Sequence, residues 1–267
     1  MNPTPASWVH PTAIIDVQAR LGRGVRVEAY VVVGAGVEVG DQCHLGPYCV
    51  LEGLTALGSG NEVGTGAVLG GPPQDVGYRG EPTRLVIGSG NRIGPYVTIS
   101  RGSPGGGGLT AVGSGCVLDY AAHVGHDCRV GDGVHLEALC ALAGHVHVGD
   151  GARVGTLAGV HQFVHIGRMA VVEGHSKVDM DVPPFVHVGG NPARLVGFNE
   201  PALDRLGSEE STAMRRALNL LYRSGLPLAE VMERLQAELS EVAAVRELLD
   251  FLRNSRRGVA RQAGPGA

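Results

Sequence analysis

The stretch VGHDCRVGDGVHLEALCALAGHVHVGDGARVGTLAGVHQFVHIG (124–167) places an aliphatic residue at every sixth position: Val124, Val130, Leu136, Leu142, Val148, Val154, Val160 and Ile166. A period of six fits neither an amphipathic helix nor an alternating hairpin strand, but it suits a short strand followed by a corner. Three such units close a coil of 18 residues, and successive coils stack as parallel strands about 4.8 Å apart. Outward from this stretch the same phase reaches Val178 and back to Val112; across two insertions (loops at 71–86 and 101–111), the second of which shifts the count by one, the repeat runs back to Ile15, giving 25 hexads. The fold class is therefore all-β, a parallel β-helix, with the handedness left open by the period itself. Glycine often follows the aliphatic position, as at Gly22, Gly34, Gly40, Gly46, Gly58 and Gly64, which we attribute to unusual backbone angles at the corner. The position two before the aliphatic is small, and all five cysteines (Cys43, Cys49, Cys116, Cys128, Cys140) occupy it, reading as buried hydrophobes.

Composition agrees with a prism filled by small aliphatics: 43 glycines in 267 residues and only 4% aromatic residues. An odd number of cysteines without a CxxC pair argues against a disulfide framework or a zinc knuckle. A net charge of −4 supplies no basic field for nucleic acid or anionic membrane. No apolar run is long enough to insert in a membrane, and the opening MNPTPASWVHPT lacks the features of a signal peptide, so a cytoplasmic location is expected. From about Pro201 glycine thins out and leucine and alanine take helical spacing. The domains expected are 1–196 for the β-helix and 197–267 for a small C-terminal helical domain that caps the open end of the stack.

Residues 18 apart stack, so His123 and His126, then Gly144 and His145, then His161 and Gln162 should share a patch roughly 10 Å tall. His126 is followed by Asp127, a carboxylate able to orient it, and lies one rung from the amide of Gly144. A neutral imidazole can take a proton from an attacking hydroxyl while an amide stabilises an oxyanion, a combination suited to acyl transfer.

The segments PPQDVGYRGEPTRLVIG (72–88), AAHVGHDCRVG (121–131), LAGHVHVGD (142–150), GVHQFVHIG (159–167) and DVPPFV (181–186) resemble the bacterial UDP-N-acetylglucosamine acyltransferases that open lipid A synthesis. The resemblance runs from about His10 to the C-terminal helices and implies a left-handed β-helix, a homotrimer with sites between subunits, and no cofactor or metal. It implies transfer of an (R)-3-hydroxyacyl group from acyl carrier protein to the 3-hydroxyl of UDP-N-acetylglucosamine. Carried onto matching positions, His126 is the general base, Asp127 orients it and the Gly144 amide serves the oxyanion. Gln74, Asp75, His123, His145, His161 and Gln162 line the substrate site, Asn199 and Arg205 lie near the nucleotide, and Gly174 sets acyl-chain length. Gly77, Ser100, Pro192 and Leu206 depart from the family pattern and remove groups that would hold sugar and diphosphate, which keeps a 3-amino analogue of the sugar open as acceptor. Acyl carrier protein is acidic, and Arg215, Arg216 and Arg223 on a predicted helix offer a basic docking patch.

Three other readings stand beside this one: a γ-type carbonic anhydrase with zinc held by histidines of adjacent subunits, a non-catalytic solenoid, and N-acyl transfer onto a 3-acylated glucosamine. The insertion RGSPGGGGLTA (101–111), with four consecutive glycines, is expected to be a flexible surface loop.

Overall fold

The structure, a computed structural model, describes residues 7–260. The opening residues 1–6 and the closing residues 261–267 of the two expected domains, and with them half of the segment read for a signal peptide, lie outside the described residues. The hexads form a left-handed parallel β-helix whose three faces are sheets of 11, 9 and 8 strands. The first face begins with Trp8–Val9 and Arg26–Val27, the second with Ile14–Ile15 and Val32–Val33, and the third with Arg20–Leu21 and Glu38–Val39. Most strands are two residues long, because each supplies one inward aliphatic and one outward side chain before the chain must turn. The register is the 18-residue one, as in Arg129 beside His147 and His147 beside His165. Across the insertions the columns continue with longer spacings, as in Glu62 beside Arg92 and Thr98 beside His123.

The inward aliphatics form one continuous core in which Leu45, Leu51, Leu69, Leu118, Leu136 and Leu142 are fully buried. Each such side chain contributes roughly 1.5–3 kcal/mol through removal from water. All five cysteines are free and buried, and burial pushes the thiols of Cys49, Cys128 and Cys140 up to about 12. They pack as small hydrophobes.

Two features differ from the sequence reading. The glycines that follow the aliphatic position do not have unusual backbone angles; positive φ falls two residues later, at Gly24, Tyr30, Gly36, Gln42 and Tyr48. What excludes a side chain is the neighbouring coil: a Cβ on Gly40 would lie 2.6 Å from the carbonyl carbon of Gly58, and one on Gly64 equally close to that of Gly94. The small slot also admits amide side chains, since Asn61 and Asn91 are wholly buried there. Asn61 Nδ2 donates to the carbonyls of Gly58 and Gly88, its Oδ1 accepts from Asn91, and Asn91 Oδ1 accepts from the Cys116 amide at 2.7 Å. Every polar group of this ladder is therefore satisfied, which makes its burial tolerable.

The stack ends in an antiparallel pair, Val186–Gly189 with Arg194–Phe198, followed by α1 (Glu200–Leu203), α2 (Ser208–Arg223), α3 (Leu228–Leu239) and α4 (Ala243–Asn254). The open edge of the third face is covered by backbone bridges from Ile166 to Val182 and from Asp181 to Val259. Asp181, fully buried, accepts from Ser255 Oγ at 2.6 Å, and Arg168 pairs with Glu247 of α4 at 2.9 Å. The segment after α4 thus closes this edge together with the helices. The arginines of α2 are engaged within the domain: Arg215 with Glu200 and Asp204, Arg216 with Glu238, and Arg223 over the Phe198 ring. Two of the three are thus paired with carboxylates, while Arg223 has no carboxylate partner among the described residues.

Candidate active site

The corner between the second and third faces carries Asp127, His145 and Phe163 in one column, all with positive φ (59°, 62° and 66°). Non-glycine residues rarely adopt this conformation, and a run of three marks a corner held by its neighbours. The coil above anchors each: the His145 amide donates to the His126 carbonyl at 2.9 Å and the Phe163 amide to that of Gly144 at 3.2 Å. Their rings follow suit, with His145 stacked on Phe163 at 4.5 Å and edge-on to His126 at 5.1 Å.

His126 and Asp127 are both buried. His126 Nδ1 lies 2.8 Å from Asp127 Oδ2, so the carboxylate accepts the Nδ1 proton and Nε2 is left as the basic nitrogen. The Gly144 backbone lies against that nitrogen: a Cβ there would sit 2.6 Å from His126 Nε2. Among the described residues the Gly144 amide has no acceptor. His145 Nε2 stands 3.8 Å from Asp127 Oδ2. His126, Asp127 and His145 each offer one ligand atom within 4.8 Å of the others. The Asp127 carboxylate, however, is already bound by several hydrogen-bond donors, which suits a proton pair better than a metal.

His123 faces outward on the second face, its Nδ1 2.7 Å from Thr98 Oγ1. It shares a groove of about 440 Å³ with His161 and Lys177, floored by Ala141 and Gly159. His161 is exposed, with Gln162 beside it at the corner. Gln74 Oε1 accepts from Ser100 Oγ at 3.1 Å, so the serine that stands in place of the expected histidine holds the glutamine. Asp75 lines a cavity of about 1000 Å³ with Ser103, His145, Phe163, His147 and His165, roofed by Phe251 of α4. The structure therefore gathers His126, Asp127, Gly144, His145 and Asp75 at one corner, with His123, His161 and Gln162 along its second-face side. Asn199, Arg205 and Gly174 are placed elsewhere. Asn199 caps α1 and donates from Nδ2 to Met169 O, at the corner between the third and first faces, with Arg205 just beyond α1. Gly174 is at the corner between the first and second faces, near Thr156.

Sequence reasoning missed three neighbours. Phe163 follows from the 18-residue column and needed only the same arithmetic. Thr98 was hidden by the insertion that lengthens its spacing to His123, and Ser103 by its place in a glycine-rich loop.

Burial lowers the pKa of His123, His145 and His147 below the ordinary histidine value, helped by His126 for the first two and by His165 and Arg129 for the third. The unfolded chain titrates these groups near 6.5 and so binds more protons below that pH than the folded chain does. Their contribution to stability is complete above about 6.5 and falls as pH drops through the lower folded values. The melting midpoint is expected to fall between pH 7.5 and pH 5.5, and His147→Gln should flatten that dependence. Equal slopes for both proteins would count against it.

A family model described as UDP N-acetylglucosamine O-acyltransferase, domain 2, matches residues 181–260, and a bacterial transferase hexapeptide model of six repeats matches residues 18–53. The acyl-[acyl-carrier-protein]–UDP-N-acetylglucosamine O-acyltransferase of Syntrophobacter fumaroxidans is 42% identical over 256 residues, 95% of this chain and 99% of the relative. That of an Anaeromyxobacter species is 44% identical over 255 residues, with the same coverage. Among solved structures, the UDP-N-acetylglucosamine acyltransferase of Francisella novicida superposes with a TM-score of 0.93 at 29% identity, over 96% of this chain and 95% of that one. The Campylobacter jejuni enzyme gives 0.91 at 30% identity, over 96% and 100%. With relatives 42% and 44% identical over 95% of this chain and 99% of their own lengths, this chain belongs to the UDP-N-acetylglucosamine O-acyltransferase family.

Proposed function

We propose that this protein transfers an (R)-3-hydroxyacyl group from acyl carrier protein to the 3-hydroxyl of UDP-N-acetylglucosamine, the first step of lipid A synthesis. The observation that carries the mechanism is the buried His126 Nδ1 to Asp127 Oδ2 bond of 2.8 Å with the Gly144 backbone at the opposite nitrogen. His126 Nε2 takes the proton of the sugar hydroxyl as its oxygen attacks the thioester carbon. The Gly144 N–H donates to the oxyanion so formed, and the imidazolium returns the proton to the departing thiolate. Gln74, Asp75, His123, His145, His161 and Gln162 position the acceptor around this pair.

Asn199 and Arg205 sit at a different corner of the same chain, so they reach the nucleotide only if a neighbouring copy supplies them. A homotrimer is supported by an apolar seam along the corner between the first and second faces, where Tyr30, Tyr48, Tyr96, Tyr120, Leu139 and Leu157 are each about half exposed. A row of half-exposed apolar side chains of this kind is a surface that another copy covers. Gly174, on the same seam corner, is assigned the limit on acyl-chain length. Among the described residues no helix is long and apolar enough to cross a membrane. We place the transfer in the cytoplasm, on a carrier-borne acyl group.

Incubation with a panel of 3-hydroxyacyl carrier proteins and either UDP-N-acetylglucosamine or its 3-amino analogue, read by mass, is the test. The expected product is the ester of the hydroxyl sugar. Transfer to the amine alone would change the acceptor, and no product from any pair would overturn the function.

A further inference from the structure

The four-glycine insertion is not a loose surface loop. Residues Pro104–Gly106 make a single 3-10 turn, closed by Gly106 N and Gly108 N donating to the Ser103 carbonyl. This turn lies directly on the Asp127 carboxylate, since a Cβ on Gly106 would fall 2.1 Å from Asp127 Cγ. Ser103 is 1% exposed. Its amide donates to Asp127 Oδ1 at 3.0 Å and Oδ2 at 3.1 Å, and its hydroxyl donates to Oδ2 at 2.7 Å. The Asp127 amide in turn donates to Oγ1 of the buried Thr110, on the strand that leaves the insertion. One carboxylate oxygen therefore receives both the Ser103 hydroxyl and His126 Nδ1.

We propose that Ser103 is a positioning residue for the transfer reaction: its hydroxyl and amide fix the Asp127 carboxylate so that Oδ2 stays aligned with His126 Nδ1. The glycines follow from this role, because the turn must approach the carboxylate more closely than any side chain permits. With the Ser103 hydroxyl removed, the carboxylate keeps only the Ser103 backbone donor on that side and can rotate away from the imidazole, which loses its orientation, while Gln74, His123, His161 and Gln162 are untouched.

This inference rests on the proposed transfer and on His126 as its base, so His126→Ala is measured alongside. Ser103→Ala is expected to lower kcat about 10- to 100-fold, the factor carried by a hydrogen bond to a charged group. KM for the nucleotide sugar should change less than threefold, and Ser103→Thr, which keeps the hydroxyl, should restore most of the turnover. In the Asp127→Asn background, Ser103→Ala should lower kcat little further, since the two act through one hydrogen bond. Loss of activity in His126→Ala with wild-type kcat in Ser103→Ala overturns this inference and leaves the function standing. Wild-type turnover in His126→Ala overturns the base assignment itself. Additive losses in the double variant overturn the positioning role. Should Ser103→Ala not fold, Ser103→Cys, close in size with a weak donor, must show the same fall in kcat with an unchanged melting midpoint.

Discussion

His126→Ala is expected to reduce kcat about 10²- to 10⁴-fold, the range typical of a lost general base. The residue is 8% exposed and its Nδ1 is held by Asp127, so the reactive nitrogen is set in place before any substrate arrives. Substrate binding should survive better than turnover, because His123, His161 and Gln162 lie along the adjacent second face. The melting midpoint should fall only modestly, since the side chain belongs to a corner and not to the aliphatic core. Steady-state kinetics with acyl carrier protein as donor, beside a thermal melt, separate these effects. Activity within threefold of wild type would remove His126 from the mechanism.

Asp127→Asn should come close to that loss, on the order of 10³-fold in kcat, although the replacement has nearly the same shape. Three donors converge on the carboxylate: the Ser103 hydroxyl, the Ser103 amide and His126 Nδ1. An amide cannot satisfy all of them. With its oxygen toward His126 its nitrogen opposes the Ser103 N–H; with its nitrogen toward His126 the imidazole must carry its proton on Nε2 and cannot act as a base. The first arrangement leaves a buried donor unpaired, at about 1–3 kcal/mol in stability. The variant should therefore melt lower and turn over slowly, whereas Asp127→Ser would lose the contact without opposing donors. An Asp127→Asn enzyme with normal kcat would mean that the carboxylate does not orient the base.

The fold was legible because a hexad is a local pattern, and the histidine column because an 18-residue coil turns spacing into proximity. The physical reason for the corner glycines was not, since Gly40 and Gly64 are constrained by a neighbouring coil and not by their own torsions. Nor was the ordering of the 101–111 insertion, whose glycines look flexible until Asp127, 24 residues beyond Ser103, is placed beneath them. The arginines of α2 looked free for the same reason, because Glu238 and Asp204, which neutralise two of them, lie on other segments. Departures at Gly77 and Ser100 were visible, but only the structure shows Ser100 redirected to hold Gln74.

The prism also restricts how the chain can change length. Asp127 and His145 meet because one full circuit separates them, so deleting six residues between them would turn His145 by a third of a revolution, onto another edge. Deleting a whole circuit elsewhere would shorten the rod and leave every azimuth unchanged. Extra residues can accumulate only where they bulge out and rejoin at the same angle, as the two insertions do. For a protein of this build, angular phase is the quantity that insertions and deletions must preserve.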